Sequence, residues 1–255
     1  MLVEVHFTPH QIDELALRDK TVVVIDVLRA STSIATALYH GAKEIIPVTT
    51  VERAVKISGN LFGDYVLRGG ERNGKMIEGF NLGNSPFDYS EDRVKGKAII
   101  FSSTNGSLAI EKARFARNMA IGAFVNISLV VEFIKELKQD FIILCAGSNG
   151  MFSLEDSVCA GMLVHKLKED GGVDLLLSDS AIAATMLHKG YSRSIVKMVK
   201  NSEHGKYLSS IGFANDLFVC AGIDTVPVLP QGVGNVIRIK RDMEKAETSR
   251  VTVMS

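Results

Sequence analysis

Carboxylate and guanidinium side chains stand in two segments of this sequence where they could act together on an anionic group. Asp26 and Arg29 follow the β-branched run T-V-V-V-I, and Arg68, Glu71 and Arg72 lie in a glycine-rich segment further along. Carboxylates are the ligands that hard divalent cations prefer. Arginine presents a planar fork that matches phosphate, carboxylate or sulfonate oxygens. These residue types together predict a site for a divalent cation and an anionic oxyester.

The glycine-rich segment from Arg68 to Pro86 reads R-G-G-E-R-N-G-K-M-I-E-G-F-N-L-G-N-S-P, with no helical or strand period. We therefore predict a loop laid over the fold. Its glycines let backbone N–H groups converge on an anion, and Asn84 and Ser85 add an amide and a hydroxyl. The alternative is a solvated loop that needs glycine only for its turns. We favour the anion-binding interpretation, because long ordered loops in compact domains are usually functional.

Two further predicted strands end in the same turn sequence. K-A-I-I-F-S-S precedes Thr104-Asn105-Gly106, and F-I-I-L-C-A-G precedes Ser148-Asn149-Gly150. N–H groups at a helix start bind anions, although Asn-Gly is also common wherever φ is positive. The similarity of the two segments indicates either an internal duplication or two similar strand-to-helix turns, and the sequence leaves both open.

Two acids, Glu155 and Asp156, open a predicted helix. Acids in a first turn complement the helix dipole without any function. The sequence therefore favours neither metal binding nor helix stabilisation as the role of these two acids. Asp26 could likewise cap a helix, but its position directly after a buried strand favours a metal ligand or nucleophile. The six histidines are scattered, and His204 in N-S-E-H-G is the least easily dismissed. The polar residues expected at the strand ends include few histidines, which disfavours zinc.

Composition excludes several classes of protein. Twenty-nine basic residues balance twenty-nine acidic ones among 255, so the net charge of +0 gives no sign of a nucleic-acid or acidic membrane partner. No apolar run is long enough to span a membrane and no signal peptide is visible, which predicts a cytoplasmic protein. Cys145, Cys159 and Cys220 form no C-x-x-C pair, which predicts buried free thiols. Cys145, at a strand end, is the one candidate catalytic thiol.

Common nucleotide and hydrolase motifs are missing. There is no G-x-G-x-x-G after the first buried strand, no G-x-x-x-x-G-K-[ST] and no G-x-S-x-G. Val27 and Leu28 follow Asp26, so the D-x-D pair of haloacid-dehalogenase phosphatases is absent as well.

The elements that must position these residues alternate between strands and helices. Strands are predicted at 2–7, 21–28, 43–48, 64–68, 97–103 and 140–147, with a charged edge strand at 236–240. Helices are predicted at 31–41, 51–57, 108–115, 127–137, 154–168, 180–189 and from 202 toward 215. This alternation predicts an α/β fold with helices on both faces of a parallel or mixed sheet. Ligands of such sheets bind beyond the carboxyl ends of the strands, where the residues above lie.

Four segments carry a resemblance to a known family. They are D-V-L-R-A-S-T-S at 26–33, G-G-E-R-N-G-K-M-I-E-G-F-N-L-G-N-S-P at 69–86, T-N-G-S at 104–107 and C-A-G-S-N-G-M-F-S-L-E-D at 145–156. In this order they resemble the 2-phosphosulfolactate phosphatase family. That family's first motif often reads D-V-L-R-A-T-T, and Ser31 here keeps the hydroxyl.

The resemblance implies a Mg²⁺-dependent hydrolase that converts (R)-2-phospho-3-sulfolactate to 3-sulfolactate and phosphate in coenzyme M biosynthesis. It implies a three-layer α/β/α fold of two similar units with the active site between them. We assign residues 1–122 and 123–255 to the units and leave open an exchange of strands at the C-terminus. The expected partner is a small anionic phosphoester, without nucleic acid or membrane, and a homodimer is left open.

The resemblance and the residue chemistry together give a set of expected roles. Catalytic roles are predicted for Asp26, Arg29, Arg68, Glu71 and Arg72. Metal binding is predicted for Asp26, Glu71, Glu155 and Asp156. Substrate binding is predicted for Ser31, Gly69, Gly70, Asn84, Ser85, Thr104, Asn105, Gly106, Ser148 and Asn149. The sequence leaves open whether water or Asp26 attacks phosphorus, and whether the substrate is another 2-phospho-carboxylate. A non-catalytic sensor of an anionic metabolite is the alternative from another class.

Overall fold

Eleven strands of one mixed sheet form the centre of the described chain. The structure is a computed structural model, and it describes residues 1–60, 65–169 and 174–239. The strands are β1 (Leu2–His6), β2 (Thr21–Ile25), β3 (Glu44–Pro47), β4 (Val66–Arg72), β5 (Lys75–Met76), β6 (Ala98–Ser102), β7 (Asn118–Gly122), β8 (Phe141–Cys145), β9 (Leu176–Leu177), β10 (Pro230–Val233) and β11 (Val236–Ile239). The helices are α1 (Ala30–Tyr39), α2 (Val51–Asn60), α3 (Glu91–Val94), α4 (Gly106–Lys112), α5 (Ile127–Leu137), α6 (Leu154–Glu169), α7 (Asp179–Tyr191), α8 (Ile195–Asn201), α9 (Glu203–Ser210) and α10 (Asp216–Cys220).

The sheet consists of two parallel blocks joined by an antiparallel hairpin. Its order is β5-β4-β6-β3-β11-β10-β7-β2-β8-β1-β9. Strands β4, β6 and β3 are mutually parallel, and so are β7, β2, β8, β1 and β9. The hairpin β10–β11 pairs antiparallel with β7 on one side and with β3 on the other. The two blocks therefore run in opposite senses.

Apolar side chains fill both faces of the sheet, which confirms the predicted three-layer α/β/α architecture. In β2 the residues alternate between two cores. Val23 and Ile25 pack with helices α5 and α6 on one face, whereas Val22 and Val24 pack with α1 and α4 on the other. A strand buried on both faces in this way is typical of parallel sheets. It gives the segment that follows β2 a rigid base.

Helix α1 continues that base. Nine of its ten residues are buried, and most are alanine, serine or threonine. Small side chains let the helix lie enclosed among its neighbours without the narrow apolar stripe of a surface helix. The segment 26–29 is thus held between a buried strand and a buried helix.

The glycine-rich segment is not a loop throughout, which corrects the prediction for its first residues. Strand β4 continues to Arg72 and pairs parallel with β6. A Cβ on Gly70 would lie 1.9 Å from the carbonyl oxygen of Ser102, and one on Gly69 would lie 2.8 Å from Tyr89 Oη. The two glycines are needed because neighbouring atoms come too close for a side chain, and a strand without side chains shows no period to read.

The charged strand near the C-terminus was expected at an edge of the sheet, and this is wrong. Strand β11 lies in the interior of the order, between β10 and β3. The positive charge of Arg238 in β11 is paired with Glu44 in the neighbouring strand β3. Lys240, the last residue of the predicted strand, lies outside the described residues.

Other boundaries differ in smaller ways. The helix expected to run from 202 toward 215 stops at Ser210, and Gly212 follows with φ at +98°. The elements that were not predicted are strands β5, β7, β9 and β10 and helices α3, α8 and α10. The division of the chain after residue 122 stays a prediction. The hairpin from the C-terminal part of the chain does insert between β3 and β7, two strands of residues 1–122.

All three cysteines are buried and free, as predicted. Burial raises the pKa of Cys145 and of Cys159 well above the usual thiol value, and the charge of Asp156 raises both further. Both thiols are therefore protonated at neutral pH, and a catalytic thiol at Cys145 is disfavoured. Within the described ranges, no helix combines the length and the apolar character needed to cross a membrane.

Candidate functional site

A cavity of about 360 Å³ opens where the ends of strands from both blocks meet. Residues that follow β2 and β8 line it on one side, and residues that end or follow β4 and β6 line it on the other. The predicted site residues in its lining are Asp26, Arg29, Glu71, Asn84, Thr104, Asn105, Ser148 and Asn149. The others in the lining are Leu28, Asn73, Gly74, Glu203, His204 and Tyr207. The carboxyl ends of the strands thus form the site, as expected for such sheets.

Asp26 is the buried acid at the end of β2. Its Oδ1 accepts the N–H of Ala30 at 3.2 Å, and only 5% of the residue is exposed. Burial raises its pKa to about 7, and the neighbouring charges of Glu71 and Glu155 add to this increase. The Ala30 N–H bond acts in the opposite direction. A carboxylate that titrates near neutrality can exchange a proton or can gain strongly from a nearby cation.

Two predicted substrate-binding residues shape the surroundings of Asp26 and do not line the cavity. Ser31 Oγ accepts the backbone N–H of Asp26 at 2.9 Å. Gly106 begins α4 so close to Asp26 that a Cβ on it would lie 2.6 Å from Oδ2. The same Cβ would lie 2.5 Å from the Ala30 methyl group. Ser31 and Gly106 therefore contact Asp26 and do not contact the space that a ligand would fill.

Glu71 joins the two turns on the other side of the cavity. Its Oε1 accepts the N–H of Thr104 at 2.7 Å, and its Oε2 accepts the N–H of Gly74 at 2.8 Å. The carboxylate is 7% exposed and lines the cavity. Each oxygen keeps acceptor capacity after one such bond, so a cation could still bind there.

Arg29 is buried in the cavity wall and is held on three sides. Its Nη1 donates to Asp216 Oδ2 at 2.6 Å, and its Nη2 donates to the carbonyl oxygen of Gly74 at 2.5 Å. Its guanidinium carbon lies 4.2 Å from the centre of the Phe213 ring. Ser85 Oγ donates to the other oxygen of Asp216 at 2.8 Å, so Ser85 contacts the acid and lies outside the cavity lining.

The two other predicted catalytic arginines do not join Asp26. Arg72 donates to the carbonyl oxygens of Glu71 and Thr49 and to Ser102 Oγ, at 2.7, 3.0 and 2.9 Å. The Arg68 guanidinium lies 5.6 Å from the centre of the Phe80 ring. Neither lines the cavity, and Arg29 is the one guanidinium among the described lining residues. Gly69 and Gly70 also lie outside the lining, and the Gly70 N–H already bonds to backbone carbonyls.

The acids at the start of α6 stand behind the cavity and are not part of its lining. Asp156 accepts the N–H groups of Val27 at 2.8 Å and of Gly147 at 3.1 Å, so it ties the ends of β2 and β8 together. Burial, together with neighbouring carboxylates, raises its pKa well above the usual range. Glu155 is 2% exposed, and its Oε1 lies 3.7 Å from Nδ1 of His204.

Neutral polar groups form much of the remaining wall. The two Asn-Gly turns meet there, because the N–H of Asn149 donates to Asn105 Oδ1 at 3.0 Å. Asn84 is 5% exposed, and its Oδ1 has no hydrogen-bond partner within the described chain. A buried amide oxygen without a partner is uncommon in folded proteins. Asn84 is therefore suited to a ligand that brings its own donor or cation.

Helix α9 contributes three lining residues that were not in the predicted site: Glu203, His204 and Tyr207. His204 had been noted in the sequence without a role. Burial lowers its pKa, against the effect of Glu155. Tyr207 Oη donates to the carbonyl oxygen of Asn73 at 3.0 Å and so closes α9 onto the turn after β4. Positions i and i+3 share a helix face, which is the signal that could have found this pair.

A metal was predicted at four acids, and two of these acids line the cavity. No group of three or more His, Cys, Asp or Glu side chains within the described ranges is arranged to hold a metal ion. Asp26 and Glu71 line the cavity together, whereas Glu155 and Asp156 do not. Mg²⁺ is usually bound through one or two carboxylates, waters and substrate phosphate. Oxygen donors in this number fit Mg²⁺ and do not fit zinc.

Comparison with known proteins gives a consistent result along nearly the whole chain. Residues 6–235 match a family model described as 2-phosphosulpholactate phosphatase. A probable 2-phosphosulfolactate phosphatase of Caldanaerobacter subterraneus subsp. tengcongensis is 38% identical over 242 residues, which cover 95% of this chain and 100% of the relative. Another from Thermotoga maritima is 43% identical over 217 residues, covering 84% and 91%. A third, from Clostridium novyi, is 41% identical over 233 residues, covering 91% and 97%.

Proposed function

The chain belongs to the 2-phosphosulpholactate phosphatase family, and from this premise we propose that it is a Mg²⁺-dependent phosphoric monoester hydrolase. Its proposed reaction converts (R)-2-phospho-3-sulfolactate and water to 3-sulfolactate and phosphate. The observation that supports the proposal most strongly is the set of Asp26, Glu71 and Arg29 around one cavity. Carboxylates that can hold a metal ion and a fixed guanidinium are among the groups that recur in phosphoryl-transfer sites.

The charge of the cavity supports a requirement for a divalent cation. A phosphate ester carries about −1.5 to −2 charges at neutral pH, and this substrate also carries a carboxylate and a sulfonate. The described lining includes Asp26, Glu71 and Glu203 against Arg29, whose charge is already met by Asp216. Such an anion would be repelled unless a cation lay between it and the carboxylates.

Asp26 and Glu71 are the residues that would hold Mg²⁺ in this proposal. When bound, the ion would offset their charge and polarise the phosphoryl oxygens. Ion binding would also lower the pKa of Asp26 from its metal-free value of about 7, because a neighbouring cation favours the charged carboxylate.

The other lining residues would bind the substrate and orient its phosphoryl group. Arg29 is fixed in the wall and can donate to the phosphoryl oxygens with the N–H groups that its protein contacts do not use. Asn84, Asn105 and Asn149 offer neutral polar groups to the remainder of the substrate. Water attacks phosphorus in line, either directly or after a first attack by Asp26. The bond from phosphorus to the C2 oxygen breaks, and that oxygen takes a proton.

Release of inorganic phosphate tests the proposal. We would measure it from racemic 2-phospho-3-sulfolactate and from 2-phospholactate, with Mg²⁺ and with a chelator. We expect Mg²⁺-dependent release that favours the sulfonate. Asp26→Asn should abolish release. Asp224→Asn is the matched control, because that acid is exposed and its carboxylate accepts hydrogen bonds from the N–H and hydroxyl of Ser128, outside the cavity lining. Full activity of Asp26→Asn would contradict the assignment.

A second candidate is a phosphatase of the same family that acts on another 2-phospho-carboxylate. One observation favours it: among the described lining residues, Arg29 is the one guanidinium, so no second fixed arginine is reserved for a sulfonate. Equal release from both esters would support this candidate and remove the argument for coenzyme M biosynthesis. Binding of both esters without release would instead support an anionic-metabolite sensor. A cytoplasmic location is part of the proposal, and a homodimer stays a prediction.

A further inference from the structure

The acid that holds Arg29 comes from a distant part of the chain. Asp216 begins α10, 187 residues after Arg29, and the two side chains are 2% and 3% exposed. Nothing in the sequence indicates this pair, because Asp216 is the one charged residue in the segment F-A-N-D-L-F-V-C. The contact places Asp216, from the C-terminal part of the chain, next to the Arg29 guanidinium on the side away from the cavity.

Asp216 is itself held in one orientation. Its Oδ1 accepts the hydroxyl of Ser85 at 2.8 Å while its Oδ2 accepts Arg29 Nη1 at 2.6 Å. Ser85 directly follows Asn84, a lining residue, so the acid is anchored to the same turn that forms the cavity wall. With both oxygens occupied, the carboxylate has little freedom to rotate, and neither does its partner.

Arg29 keeps donors for a ligand after these contacts. A guanidinium carries five N–H groups. The bonds to Asp216 and to the carbonyl oxygen of Gly74 use one on each terminal nitrogen. Phe213 covers one face of the plane at 4.2 Å. The plane is thus fixed in position and orientation, while further N–H groups remain available in a residue that lines the cavity.

A buried ion pair can also be a purely structural contact, since its desolvation cost often cancels its attraction. The location of this pair argues for more. Arg29 lines the cavity and Asp216 does not, so the acid stands behind the arginine. The partly buried pair of Glu44 and Arg238 joins β3 to β11, and neither residue lines the cavity. It provides a structural pair for comparison.

We propose that Asp216 is a positioning residue: together with Ser85 it fixes the Arg29 guanidinium so that its free N–H groups face the phosphoryl oxygens. The proposal rests on the phosphatase function for its kinetic consequences. A 1 Å misplacement of such a group can cost about 100-fold in rate. Asp216 would act only through Arg29 and would not touch the substrate.

The kinetic test is a double-mutant cycle of Asp216→Asn and Arg29→Lys. We expect Asp216→Asn to lower kcat about 10- to 100-fold with a much smaller change in KM. In the Arg29→Lys background the same substitution should lower kcat no further, because its effect passes through the arginine. Asp216→Glu, which keeps the charge, should recover part of the rate. Glu44→Gln is the matched control, with kcat unchanged even if the melting temperature falls.

Binding of inorganic phosphate in the presence of Mg²⁺ gives a second measurement that needs no turnover. If Asp216 only neutralises Arg29, removing its charge should tighten phosphate binding. If it positions Arg29, binding should weaken, by about the same factor as in Arg29→Lys, with no further loss in the double variant. Tighter binding, or losses that multiply across the cycle, would overturn the proposal. A wild-type protein that releases phosphate from neither ester would contradict the phosphatase function, and the binding cycle would still decide the role of Asp216.

Discussion

Gly106→Ala should damage the site by pushing on the buried acid. Gly106 has no positive φ, so alanine fits the backbone there and the whole effect comes from one methyl group. That methyl would lie 2.6 Å from Asp26 Oδ2 and 2.5 Å from the Ala30 methyl. Carbon atoms rest about 3.5–4.0 Å apart, so α4 and the segment 26–30 must separate by about 1 Å.

The size of the effect follows from this shift. Inserting a methyl into a packed interior costs about 1–3 kcal/mol of stability, and a 1 Å displacement of a catalytic group costs about 100-fold in rate. We therefore expect Gly106→Ala to lower the free energy of unfolding in urea by about 1–3 kcal/mol. Phosphate release should fall about 100-fold.

Gly190→Ala is the matched control for this prediction. Gly190 lies in α7, and a Cβ on it would have nothing within 4 Å. Alanine there should stabilise the protein by about 0.5–1 kcal/mol, since glycine is a poor helix former, and it should leave phosphate release unchanged. If Gly106→Ala kept both full stability and full activity, the close approach of α4 to Asp26 would be disproved.

Three other substitutions test separate parts of the site. In a chelator, Asp26→Asn should have a higher melting temperature than the wild type at pH 8. The pKa of Asp26 is about 7 in the folded protein and 3.8 in the unfolded chain, so the wild type loses stability as the pH rises from 3.8 through 7. The difference in melting temperature should vanish at pH 4, and a difference that stayed constant with pH would contradict this. In Glu71→Gln the amide NH₂ would face a backbone N–H that now donates to a carboxylate oxygen, so one hydrogen bond is lost; the free energy of unfolding in urea should fall by about 1–3 kcal/mol. Glu78→Gln, at an exposed position, is the control and should leave the free energy of unfolding unchanged. His204 is the one imidazole among the described lining residues, and we predict that it transfers a proton; His204→Gln should then lower kcat by about 100-fold or more. Tyr207→Phe, which removes one hydrogen bond, should keep most of the rate.

Patterns that depend on neighbours in the sequence predicted the fold well. The β-branched run from Thr21 gave a strand buried on both faces, and the apolar period of 127–137 gave helix α5 with its observed ends. Side-chain period and propensity act within a few residues, so a single sequence carries them. The glycine-rich segment failed this test because two adjacent glycines remove the side chains that show a strand period.

The sequence predicted cavity-lining residues best where they directly follow a strand. Asp26 and the turn residues Asn105 and Asn149 line the cavity because they follow strands whose ends meet there. Position along a strand did not show which of the predicted arginines would line the cavity. Arg72 bonds Thr49 and Ser102, which lie 23 and 30 residues away, and the direction of a long side chain is decided by such distant partners.

The bridging hairpin has a consequence for how the chain reaches its fold during synthesis. Strands β3 and β7 each gain a second neighbour only from β10–β11, which the ribosome makes more than a hundred residues later. Until then each of these strands ends a block with unpaired N–H and C=O groups, which are a template for pairing with other chains. Pairings so distant in sequence form slowly. The nascent protein is therefore expected to need protection from aggregation until the hairpin closes the gap between the blocks.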